Sequence, residues 1–196
     1  MKHLKKQPIA IFLALIIIAG ATFFGAHRSL RAASNQVAAQ FYEGVYDEVQ
    51  GRVLPSIYGQ LEQRATAALR MISIGEHSHG DDDTLALAEK ELRGTRRDLV
   101  DLLASGSPGE LFEADQAIGL AAERYHALLR PLVETADGED LDALDMAWST
   151  MQNAARVMRE SGYNEAIRAF HRDVLERFPT RFLMEIVFVN PPELFA

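Results

Sequence analysis

From Ile9 to Ala26 the chain is an almost unbroken apolar run, IAIFLALIIIAGATFFGA. As a helix, its 18 residues reach roughly 27 Å, just enough to cross a hydrocarbon core. In lipid every backbone polar group must be satisfied within the segment, so the run predicts a helix. Beyond it the pattern changes. Apolar residues recur at three- and four-residue steps, as in helices that bury one stripe. Leu30, Ala33, Val37, Phe41 and Val45 make a first stripe, which fades near Gly44 and Gly51. Ile57, Leu61, Ala65, Ala68 and Ile72 make a second, with Pro55 suited to its first turn. After GEHSHGDDD, Asp83 is placed to cap a third segment carrying Leu85, Ala88, Leu92, Leu99 and Leu102.

The loop SGSPG leads into a fourth segment with Leu111, Ala114, Ile118, Ala121, Tyr125, Leu128 and Leu132. A break at ADGED opens the longest stretch, from about Leu141 to Phe178. Its stripe is Leu141, Leu144, Trp148, Met151, Ala155 and Met158, then Tyr163, Ile167, Phe170, Val174 and Phe178. Gly162 falls where the register slips by one residue, and the pattern predicts a continuous helix with a local irregularity there. Only Met184–Val189 alternates as a strand would, after Phe178-Pro179, where a helix must end. The pattern predicts an all-α fold: an antiparallel up-and-down bundle of four to five helices behind one N-terminal transmembrane helix. The apolar stripes read as core, not as a cofactor box.

Charge sets the orientation. Lys2, Lys5 and Lys6 precede the apolar run, and Arg28 and Arg31 follow it. The positive-inside rule then puts residues 1–8 in the cytoplasm, 9–26 across the membrane and 27–196 outside. A cleaved signal peptide is the competing reading, with Ile9–Ile18 as its core and Ala19-Gly20-Ala21 as the cleavage site. The run continues through Phe23 and Phe24 into HRSLRAASNQVAAQF, which carries no helix breaker and favours a retained anchor. Only three of the 20 basic residues precede Arg28, so the body holds 17 basic against 28 acidic residues, a net −11. Such a body is repelled by anionic headgroups and stands off its anchor. The whole-chain net charge of −8 argues against nucleic-acid binding, which needs a basic face. With no cysteine there is no disulfide, no Cys-ligated metal and no thiol nucleophile.

The run SGYNEAIRAFHRDVLERFPTRF, Ser161 to Phe182, resembles the C-terminal signature of the LemA family. In that family a long helix carries a Tyr-Asn-Glu-Ala element, a later aromatic and a terminating Phe-Pro. Tyr163, Asn164, Glu165, Ala166, Phe170, Phe178 and Pro179 occupy those positions. The closing PPELF, Pro191 to Phe195, looks like the family's acidic-aromatic end. Two features depart from the family pattern. His171 stands where Asn is common, and YDEVQGRVLP and GEHSHGDDD interrupt helices expected to be longer. The resemblance is to a divergent, LemA-like branch. It implies a membrane-anchored helical bundle with no catalytic residues, sometimes linked to extracytoplasmic proteins with TPM-type domains. Physically, Tyr163, Ile167, Phe170 and Phe178 supply apolar area, while Asn164 is placed to bond a neighbouring helix or a carbonyl freed near Gly162.

Candidate chemistry is thin. Glu76, His77, His79 and Asp81 to Asp83 gather metal-type donors, but without an EF-hand frame or an HExxH helix they read as a solvated turn. Glu139, Asp140, Asp142 and Asp145 crowd a helix start, where carboxylates complement the dipole. His126 beside Tyr125 and His171 beside Phe170 read as flanking or satisfied core histidines, and Ser107 has no local partner. No GxSxG elbow, P-loop or dinucleotide turn is present. The expectation is a non-enzymatic interaction or scaffold module without a cofactor, bound to the membrane through Ile9–Ala26 and to a protein partner. The alternative is a sensor-like bundle with a ligand pocket lined by Tyr163, Asn164 or His171.

Overall fold

The apolar run and the polar residues after it form one uninterrupted helix, α1, Gln7–Glu43. Pro8 sits in its first turn, where a helix tolerates proline, and its glycines Gly20 and Gly25 stand in open space. Ile11 to Ile18 and Phe24 are exposed, and the helix is long and apolar enough to cross a membrane. The computed structural model describes residues 7–78, 82–136, 138–176 and 191–196. The basic residues 1–6, His79 to Asp81, Phe178 with Pro179, and Met184–Val189 lie outside that set, as does the side chain of His77. The chain forms two units, Met1–Ala38 with Ala166–Pro192, and Ala39–Glu165 with Glu193–Ala196.

The second unit is an antiparallel helical bundle built from α2 (Ile57–Ser78), α3 (Asp83–Leu103), α4 (Pro108–Ala136) and α5 (Gly138–Arg159). Each helix packs on its sequence neighbour; α2 also closes the ring against α5 and touches α4. The α2 stripe is buried at every position expected, Ile57, Leu61, Ala65, Ala68 and Ile72. On α3, Leu85, Ala88, Leu92 and Leu99 are buried. The α4 face is turned by one position late in the helix, so that Leu129 and Val133 are buried while Leu128 and Leu132 are half-buried. On α5 the buried line is Leu144, Ala147, Met151, Ala154 and Met158, with Trp148 and Ala155 half-exposed beside it.

Helix ends correct several local expectations. Asp82, not Asp83, caps α3, its Oδ1 accepting from the backbone N–H of Thr84 and Leu85. Ser56, not Pro55, starts α2, its Oγ accepting from the N–H of Gly59 at 3.1 Å. Ser107 does have a local partner: its N–H donates to Glu110 Oε2 at 2.8 Å while its Oγ accepts from the Glu110 N–H, a capping box over Pro108. That backbone donor holds the Glu110 carboxyl below its ordinary range.

Two further corrections concern breaks. YDEVQGRVLP contains a short antiparallel ribbon, β1 (Tyr46–Asp47) paired with β2 (Arg52–Val53). Asp47 Oδ1 accepts from the N–H of Val49 and Gln50, and Gly51 closes the turn at φ 62°. Gly44 admits no other residue, because a Cβ there would lie 2.0 Å from the Leu54 carbonyl oxygen. The long C-terminal helix is not continuous at Gly162. α5 ends at Arg159, Gly162 takes φ 75°, and α6 (Tyr163–Phe170) begins anew, running into a π-helical turn, His171–Leu175. A left-handed glycine ends a helix rather than merely bending it.

Candidate functional site

The break at Gly162 frees Tyr163 and Asn164 to grip the end of the chain. Asn164 Nδ2 donates to the Phe195 carbonyl at 2.8 Å, and its Oδ1 accepts from the Phe195 N–H at 2.9 Å. The Tyr163 hydroxyl donates to the Glu193 carbonyl at 2.8 Å. Asn164 therefore bonds neither a neighbouring helix nor a carbonyl near Gly162, as the sequence had suggested. Between these bonds Phe195 is buried, edge-on to Phe112 at 5.3 Å and tilted against Phe41 at 5.9 Å. Burial, with Tyr42 and Glu193 nearby, pushes the Tyr163 hydroxyl up to about 12, so it stays a donor. The two-sided amide clamp explains why Asn suits this position: its amide carries an acceptor and a donor side by side, matching the N–H and C=O of one residue.

Of the remaining motif residues, Glu165 is exposed, Ala166 half-buried and Phe170 buried. His171 Nε2 lies 3.2 Å from the Pro192 carbonyl oxygen, within the first unit.

Beside the docked tail, a cavity of about 530 Å³ opens in the bundle unit. Its α4 wall is Phe112, Asp115, Gln116, Gly119, Leu120 and Glu123, one face at helical spacing. Its α5 wall runs from Trp148 through Met151, Gln152 and Ala155 to Met158 and Arg159. Asn164 lines it; Tyr163 and His171 do not. Arg64 reaches it from α2, although only 6% of that residue is exposed. Its Nη1 donates to Asp115 Oδ1 at 2.5 Å, and Asp115 is 3% exposed. Asp115 and Gly119 lie one turn apart on α4, and the glycine makes room for the guanidinium: a Cβ there would sit 2.6 Å from Arg64 Nη2. Burial pushes the Asp115 carboxyl up, and the Arg64 charge opposes that shift. Arg64 Nε is buried and has no hydrogen-bond partner among the described residues.

No family model, curated protein or solved structure matches the chain. The cavity itself is then the most informative feature of this unit. A second groove, about 470 Å³ against α2 and α3, is lined by Lys90, Arg93, Arg96 and Arg97. Two of its arginines are engaged within the protein: Arg93 pairs with Glu89 and Glu76, and Arg96 Nε donates to the Ala65 carbonyl at 2.9 Å.

The other polar groups have structural surroundings. Glu139 and Asp140 stand in the first turn of α5. Asp145 Oδ1 accepts from Arg130 Nε at 3.3 Å and lies 3.8 Å from His126 Nε2, too far for a hydrogen bond. The His126 ring stacks on Trp148 at 4.6 Å. Burial holds its pKa below the ordinary value, outweighing Asp145. Among the described residues no three His, Asp or Glu side chains form a metal-ligand group. The Arg64–Asp115 pair was missed in the sequence because both lie within stripes read as apolar; the signal present was a charge flanked one turn later by glycine.

Proposed function

We propose that this chain is a single-pass membrane protein, N-terminus in the cytoplasm, whose extracytoplasmic LemA-like bundle acts as a non-enzymatic protein-interaction or scaffold module. The observation that carries this reading is the continuity of α1. One helix contains the exposed apolar run and, at its other end, buries Phe41 edge-on to Tyr163 at 5.4 Å. A cleavage near Ala21 leaves the tail of such a helix without its first half, whereas a retained anchor uses the whole of it. The tail-docking role of Tyr163, Asn164 and Phe195 fits motif residues kept for architecture, and the acidic body supports a domain held off the lipid surface. Through its resemblance to LemA, the partner class is an extracytoplasmic protein of TPM-domain type.

The absence of cysteine makes the test clean. A Val49→Cys variant places a lone thiol on the hairpin, where residue 49 is 96% exposed. Membrane-impermeant maleimide labels it in intact cells if the body is outside, while Lys5→Cys is labelled only after lysis. The opposite pattern overturns the orientation and the role with it. Photo-crosslinking from Val49 in intact membranes should then give one reproducible protein adduct; a ladder of this chain alone refutes the scaffold reading.

A further inference from the structure

We infer that the cavity between α4 and α5 is a binding site for a small amphipathic monocarboxylate, a molecule with one carboxylate on an aryl or alkyl body. This goes beyond the scaffold reading and stands whichever way the chain crosses the membrane.

Four observations within the bundle unit converge on that chemistry. The cavity, about 530 Å³, has the size of a small-molecule site, commonly some 300–1,000 Å³. A buried cation lines it: Arg64 is 6% exposed, and Asp115 is the one hydrogen-bond partner of its guanidinium among the described residues. A carboxylate entering the cavity meets this guanidinium where it lines the wall and gains a charge-assisted bond. The site is built for that cation, since Asp115 holds Nη1 and Gly119 leaves the space that Nη2 occupies. Finally, the α5 wall carries the polarisable side chains of Trp148, Met151 and Met158 beside Gln152 and Arg159, a surface suited to an aryl or alkyl body with one polar end.

The charges favour an anion over an amine. Asp115 is already engaged by Arg64, and Glu123 is exposed to water at the edge. Arg159, also exposed, lines the cavity and has no ion pair among the described residues. Beside the neutral amides of Gln116 and Gln152, the cationic donors left to answer are both arginine.

Trp148 is the chain's one tryptophan and lines the cavity, so its fluorescence reports occupancy from a single place. The full chain in lipid nanodiscs is titrated with phenylpropionate, phenylpropionamide and phenylpropylamine. Phenylpropionate should change Trp148 emission saturably, and the amide and amine should bind about tenfold more weakly or worse. Because loss of Arg64 also strands Asp115, the variants are Arg159→Gln, expected to weaken binding about fivefold, and Ala155→Leu, which fills the cavity and should weaken it about tenfold or more. Absence of a saturable change with phenylpropionate overturns the assignment. So does equal or tighter binding of the amide or amine. An emission change that Ala155→Leu leaves intact comes from probe dissolved in lipid and also overturns it, as does unchanged affinity in Arg159→Gln.

Discussion

Replacing Asp115 with Leu while Arg64 stays in place strands a guanidinium among packed helices. The two side chains are 8% and 4% exposed, so little solvent shields them. Removing one partner of a buried pair costs about 3–5 kcal/mol, mostly the penalty of the charge left behind. Arg64 also lines a cavity, which gives water some access and puts the expected cost near the lower bound, about 3 kcal/mol. For a chain of this size that lowers the unfolding midpoint by about 6–12 °C. The double variant Arg64→Met with Asp115→Leu removes both charges and keeps the volume. It should return to within about 1 kcal/mol of the parent, a coupling of about 2 kcal/mol or more.

The control is the pair Arg124–Glu91, 3.2 Å apart but about half exposed on both sides. Arg124→Met should cost less than about 1 kcal/mol, because solvent screens such pairs. All variants are melted as full chains in nanodiscs, followed by far-ultraviolet circular dichroism and by Trp148 emission. If the double variant is as unstable as the two single variants summed, Arg64 and Asp115 do not act as a unit. The electrostatic account of the cavity wall then fails.

Three further predictions follow from packing and titration. Gly75→Ala places a Cβ 1.7 Å from Tyr125 Oη and 2.9 Å from its Cζ; it should destabilise by about 1–3 kcal/mol despite alanine's helix preference. Tyr125→Phe deletes the nearer atom, so the double variant should recover at least part of the loss in the same melts. Asn164→Ala leaves the Phe195 N–H and C=O without partners, costing about 1–3 kcal/mol, and amide exchange at Glu193 to Phe195 should rise; unchanged exchange there removes the clamp from the account. His126 is neutral in the fold because burial lowers its pKa from 6.5. The unfolded chain therefore binds the extra proton first, and stability falls as pH drops below about 6.5. His126→Phe should flatten that part of the pH–stability curve, and a curve that keeps its slope assigns the effect to another group.

Much of the architecture was legible because helical burial has a period. Every member of the α2 stripe, Ile57 to Ile72, is buried, and the adjacent Ala67 and Met71 are buried with them. Where two adjacent apolar residues competed, as at Leu128/Leu129 and Leu132/Val133, periodicity could not choose, and packing against neighbouring helices decided. Trp148 was read as core from its place in the stripe, yet it is half-exposed on the cavity wall while Ala147 is buried. The breaks were harder. Gly162 carried a register slip in the sequence, but whether a glycine bends or ends a helix depends on its φ, which no pattern states. The ribbon at Tyr46 to Val53 is two residues deep on each side, too short for alternation to show.

The site residues illustrate a different limit. Sequence pattern reads each helix alone, whereas the cavity exists only where several segments meet. Asp115 and Gly119 are four apart on α4, so they share a face, and that much is visible. What is not visible is that Arg64, fifty-one positions earlier, fills the gap the glycine leaves. The same device recurs at Gly75 of α2, where a missing side chain admits Tyr125 of α4. In both cases a helix gives up a Cβ, at a cost of about 1 kcal/mol against alanine, and a large polar-tipped side chain from another helix enters. A glycine inside an amphipathic helix, on the side that packs against its neighbours, is thus a reason to look for an incoming Arg or Tyr. For Arg64 the consequence is chemical as well as steric: the notch at Gly119 lets a cation lie along the cavity wall beside the carboxylate that holds it.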